Sequence, residues 1–175
     1  MSLAHTNKSI LDTVSTYEKL LSDVSEETFT QTPSDGGWSY AEVFSHIFSS
    51  NLTCIQAIDR CVQGNAIDSK DQLSFPVKLV FLFGRFPPGK FKVPDRLKDQ
   101  VKKIDRPEAH QLVQRFKDEL SQITPKVPSA HPDQKLKHPR LGFLNAVKWY
   151  EFMDIHLKHH KRQLDRIRKG LTAQA

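Results

Sequence analysis

Near the end of the chain the stretch NAVKWYEFMDIHLKHHKRQLDRIRKG carries an apolar stripe of helical period with two histidines set inside it, and a helix with such a stripe has to be covered by neighbours. With His156 at zero and ~100° per residue, Trp149 and Ile167 fall near 20°, Phe152 near −40°, Met153 near 60°, Leu164 near 80° and Leu157 near 100°. His160 falls at about 40°, in the middle of that stripe, while Lys158, Lys161, Arg162, Asp165 and Lys169 occupy the far side. His159, at about −60°, lies on the polar flank. A solvated basic face therefore accounts for His159 but leaves His156 and His160 unexplained.

Three earlier segments have the same period. Ser9 to about Val24 places Ile10, Val14, Tyr17, Leu20, Leu21 and Val24 on one face. After a polar turn with Pro33, Gly36 and Gly37, Ser39 and Glu42 form an S-x-x-E capping box that starts a second helix, running to about Val62 and stopping at Gly64. Trp38, just before that cap, is placed to pack back as a staple. A third helix begins near Asp105 or Arg106, with Pro107 in its first turn and Leu112, Val113, Phe116 and Leu120 on its apolar face; Pro125 stops it. The last helix starts near Asn145 and ends at Gly170, after a polar loop with Pro128, Pro132 and Pro139. The reading is an all-α four-helix bundle, one domain over residues 1–175, with a long connection between the second and third helices. That connection, 64–105, reads as a short helix followed by an extended segment, and a connection of this length is often a lid or a pocket wall.

Composition narrows the function classes. The net charge of +6 is spread from Lys8 to Lys169 without a basic stripe, which argues against nucleic acid as a partner. The most apolar stretch, Phe75 to Phe86, contains Pro76, Lys78 and Arg85 and is far shorter than the ~20 residues of a membrane span. Cys54 and Cys61, about 10 Å apart along one helix, cannot bridge each other. They read as reduced core thiols, and with no signal-peptide pattern at the N-terminus the expected location is the cytoplasm.

Two imidazoles at i and i+4 on a buried face suit one metal ion, but they suit a hydrogen-bonded core pair as well. A third ligand has to come from another helix. His46, in the second helix with Glu42 and Ser50 one turn to either side, is one candidate, and His110 in the third helix is its rival. His5, His131 and His138 fall in tails or loops. Glu42 is a possible general base, but the capping box already explains it.

Three motifs in order along the chain carry a resemblance: W-S-x-x-E-V-x-x-H-I from Trp38 to Ile47, H-P-x-x-G-x-L from His138 to Leu144, and W-x-x-x-x-x-x-H-x-x-x-H-x-x-Q from Trp149 to Gln163. Together they resemble the DinB-like (YfiT-type) superfamily of metal-binding four-helix bundles. The resemblance implies a divalent metal on His46, His156 and His160. An all-nitrogen set with an open position favours zinc or nickel and has the form of a catalytic site. The expected function is a metal-dependent hydrolase acting on a small-molecule substrate through a water on the metal. The alternatives are a metal-dependent thiol S-transferase and a non-catalytic metal-binding or stress-induced protein. Relatives are often homodimers, although no residue here marks an interface.

Overall fold

The computed structural model describes residues 2–34, 36–87 and 101–172. Four long helices form the bundle: α1 (Leu3–Asp23), α3 (Tyr40–Val62), α5 (Arg106–Ile123) and α6 (Ala146–Thr172). Two short ones, α2 (Glu26–Thr30) and α4 (Phe75–Phe83), lie in the connections, and a 3-10 stretch, Thr124–Ser129, follows α5. The four-helix architecture is the one expected.

Local chemistry sets the boundaries. Ser39 and Glu42 do form the capping box, with the Ser39 N–H and O–H donating to the Glu42 carboxylate at 2.9 and 2.7 Å. Asp105 accepts from the Glu108 N–H at 2.8 Å and Asn145 from the Lys148 N–H at 3.0 Å, which starts α5 and α6 where the sequence placed them. Helix α1 begins six residues earlier than the segment read from its apolar stripe, because Ser2 caps a first turn, Leu3 to Thr6, that lies ahead of that stripe. Helix α2, capped by Ser25, is too short to show a period.

The core is aromatic. Tyr17 of α1 meets Phe44 and Phe48 of α3 edge-on at 5.4 Å each, Phe29 of α2 meets Phe44 at 5.3 Å, and Phe48 meets Phe116 of α5 at 5.7 Å. Helix α6 packs against both α1 and α3. The Tyr17 hydroxyl donates to the Leu157 carbonyl at 2.8 Å, and Asp154, on the same side of α6, accepts from the Ser9 hydroxyl at 2.8 Å and from Lys158 at 2.7 Å. Arg106 reaches back to the Leu21 carbonyl at the end of α1 and satisfies an acceptor that the helix leaves open.

What the sequence reads as a polar loop before α6 forms two strands of a small antiparallel sheet, and the long connection supplies the third. Strands β1 (Ile67–Asp68), β2 (Gln134–His138) and β3 (Gly142–Asn145) lie in that order, with Ile67 opposite Lys135 and Leu136 opposite Leu144. Gly142, at φ 78°, makes the tight β2–β3 turn in a conformation that suits glycine. Strand β3 runs directly into α6. The short helix expected in the long connection is α4; the extended segment expected after it falls largely on 88–100, outside the described residues. Helix α4 turns Val77 and Val80 to the bundle and leaves Phe75, Leu82 and Phe83 exposed. Among the described residues, no helix is long and apolar enough to cross a membrane.

Candidate metal centre

The stripe of α6 is buried as the wheel places it: Trp149, Phe152, Met153, Leu157, Leu164 and Ile167 are all in the core. His156 and His160 are inside it, at 9% and 7% exposure. His46 of α3 faces them, its ring centroid 5.4 Å from that of His156 and 4.9 Å from that of His160. One ring nitrogen from each of the three lies within 4.8 Å of the others, a grouping able to hold a metal ion. His110, the rival, is exposed on α5 and outside this cluster, as are His5 and His131.

Neighbours fix the rings. The His160 Nδ1 lies 2.8 Å from the Gln163 Oε1, so with the carboxamide oxygen accepting, Nδ1 carries the proton and Nε2 keeps its lone pair. That Nε2 is 3.1 Å from the His156 Nε2, close enough for both nitrogens to reach one ion at metal–nitrogen bonds of about 2.0–2.1 Å. The Phe152 ring stacks on His156 at 5.1 Å, and the Trp38 ring lies 5.2 Å from His46. Trp38 thus packs back onto its helix as expected, against a candidate ligand. Among the described residues neither Glu42 nor Ser50 hydrogen-bonds to His46, and Glu42 is spent on the cap.

The electrostatics favour neutral rings. Burial, with His159 adding, pushes His46 down to about 4, and burial, with His46 and His159 adding, pushes His160 down to about 3. His156 is held well below the ordinary histidine range, first by burial and then by His160 and His46. All three therefore present lone pairs at neutral pH. The His156 Nδ1 is buried with no hydrogen-bond partner among the described residues. In the absence of a ligand the pair cannot be satisfied: a proton on the His156 Nε2 leaves its Nδ1 lone pair bare, and a proton on Nδ1 leaves two lone pairs facing each other at 3.1 Å. A cation held by the ring nitrogens would remove the clash of lone pairs in the second case, while the His156 Nδ1–H would still have no acceptor among the described residues. The residues present fit a divalent metal.

Two histidines have surroundings that the sequence did not disclose. His159 is half-buried rather than on an open polar flank, with its ring 5.1 Å from His160 and 5.2 Å from Phe86. Phe86 also lies 6.3 Å from Phe152, so the connection after α4 reaches this end of the bundle. His138 is the last residue of β2, and its ring packs on Trp149 at 5.2 Å and Phe152 at 4.6 Å. Only the motif from His138 to Leu144 singled it out. Cys54 and Cys61 are both buried free thiols; burial raises both, Cys61 to about 11, so neither is a nucleophile for this site.

No curated protein matches the chain. Among solved structures it is similar to TT2238, described as a four-helix bundle protein, with a TM-score of 0.59 at 15% identity over 94% of this chain and 99% of that one. At that identity the likeness speaks for the fold. The sequence model of the DinB superfamily matches residues 11–164, which span α3, the hairpin and the histidines of α6. The chain belongs to the DinB superfamily.

Proposed function

We propose that this chain is a metal-dependent enzyme which binds a divalent zinc or nickel ion on His46, His156 and His160 and hydrolyses a small-molecule substrate. The observation that carries the reading is the convergence of three neutral ring nitrogens from α3 and α6 with no carboxylate among them. A divalent ion held by neutral ligands keeps its charge and an open position, and supplies polarisation of a carbonyl and acidification of water to a pKa of about 7. The protein's part is to hold the ligands in place. Gln163 sets the His160 tautomer, Phe152 and Trp38 pack the other two rings, and burial keeps protons off all three.

Protein purified without an affinity tag and assayed by elemental analysis should carry close to one equivalent of zinc or nickel; less than about a tenth of an equivalent overturns the reading. The His160→Ala variant should lose the metal together with hydrolysis of whichever ester or amide in a substrate panel the wild type cleaves. Transfer of a thiol to an electrophile in place of hydrolysis would move the reaction to the thiol transferase class on the same ligands. Metal without turnover in either panel, and an earlier-melting variant, would make the ion structural.

A further inference from the structure

His138 has a fixed tautomer. Its Nδ1 accepts from the backbone N–H groups of Arg140 and Leu141, each at 3.1 Å, and a backbone amide can only donate. Nδ1 therefore carries the lone pair, and in the neutral ring Nε2 carries the proton. The turn at Gly142 that closes the hairpin delivers both amides, so the arrangement is built into β2–β3 and not into a mobile side chain. Nε2 makes no hydrogen bond among the described residues.

The same geometry separates His138 from the three metal-ligand candidates. Ligation through Nε2 would require the proton to move to Nδ1, where two backbone donors already point, and both bonds would be lost. It is a donor by construction. Its ring lies against Trp149 and Phe152, and Phe152 in turn stacks on His156, so the His138 ring and the histidine cluster have Phe152 as a common neighbour. Trp149 brings a second N–H. Its indole Nε1 is buried with no partner among the described residues, although indole N–H groups in protein interiors usually find one.

We infer that His138 and Trp149 form a donor pair beside the three-histidine cluster that holds an oxygen acceptor, a carbonyl or carboxylate, of the substrate bound there. The inference rests on the metal reading for its substrate. In that role both are positioning residues: a neutral donor binds the oxygen without competing for the metal, and an aromatic wall excludes water from the bond.

The test uses cobalt(II) as the spectroscopic metal and acetate as the probe. Nitrogen NMR of the metal-free wild type should show His138 protonated at Nε2 and bare at Nδ1. Acetate titrated into the cobalt-loaded protein should perturb the visible cobalt bands. In His138→Phe its affinity should fall about tenfold while cobalt affinity is kept, with a smaller loss in Trp149→Phe and partial recovery in His138→Gln, whose amide can donate. A protonated Nδ1 overturns the inference. So does acetate affinity unchanged in both aromatic variants, the absence of any acetate response in the wild type, or a His138→Phe variant that loses cobalt as His160→Ala does. If His138→Phe does not fold, His138→Gln and Trp149→Phe decide. A wild type that takes up no cobalt removes the metal reading and this inference together, whereas cobalt bound with acetate indifferent to His138 removes this inference alone.

Discussion

Helix α6 buries polar groups on two flanks, and the flanks treat them differently. Towards α1, the Tyr17 hydroxyl has the Leu157 carbonyl, Asp154 has Ser9 and Lys158, and the Tyr150 hydroxyl donates to Asn7 at 2.7 Å. Every one of these groups is closed by another protein atom. Towards α3 and the hairpin, the His156 Nδ1 and the Trp149 Nε1 have no partner among the described residues, and two imidazole nitrogens meet at 3.1 Å. A core of this size seals its polar groups where only packing is at stake, because each unmet one costs about 1–3 kcal/mol. The open groups gather on the flank that carries the histidine cluster. Asn51 of α3 complicates this picture, since both its amide atoms are buried and unpartnered among the described residues while it stands outside the histidine cluster.

The largest expected effect is in acid. The folded pKa of His46 and of His160 lies below the unfolded value, so the unfolded chain binds more protons between about 4 and about 6.5, and the stability of the metal-free protein should fall as pH drops through that window. Urea midpoints at pH 7.5, 6 and 5 measure it. A flat profile would show that the open flank is no more proton-sensitive than the closed one. Adding metal should hold the midpoint up at the higher end of the window, because the ion binds only the native, unprotonated cluster.

Next in size is Gln163→Ala, which frees the His160 ring without touching a ligand atom. Metal affinity measured against a chelator should weaken by about 10–100-fold while the urea midpoint moves little. The reverse pattern would make Gln163 a structural partner like those facing α1. On the closed flank, Tyr17→Phe should cost about 1 kcal/mol in urea unfolding and leave metal affinity alone, since it removes one donor from the Leu157 carbonyl. The smallest change is expected for Asn51→Leu. Replacing an unpaired buried amide by an apolar group of similar volume should be neutral or slightly stabilising, by up to about 1 kcal/mol. A clear loss of stability or metal there would extend the open region along α3.

How far the sequence led depended on the range of the interaction concerned. The pair His156 and His160 could be placed because both sit on one helix, whose wheel is a local property. His46 could not be reached that way: it lies at the edge of its own stripe, periodicity left His110 as a rival, and the family resemblance decided between them. His138 looks like a loop residue in the sequence because the strands around it are short and carry lysines at positions that normally show alternation; Lys135 is itself buried, with its ammonium donating to the Asp71 carbonyl at 2.8 Å. The pairing that makes β2 and β3 a hairpin depends on hydrogen bonds that composition does not reveal. Helix α2 escaped for the same reason that its first turn needs Ser25: five residues have no period, only a cap.

The spacing of the three histidines along the chain also bears on how the molecule assembles. His156 and His160 are neighbours as soon as one turn of α6 exists, whereas His46 joins them only when α3 docks across more than half the length of the chain. Local contacts form early and distant ones late, because closing a long loop carries an entropic cost. An ion present during folding would therefore meet a two-nitrogen half-site first and gain its third ligand at docking, so the rate at which the metal becomes tightly held reports when α3 and α6 come together.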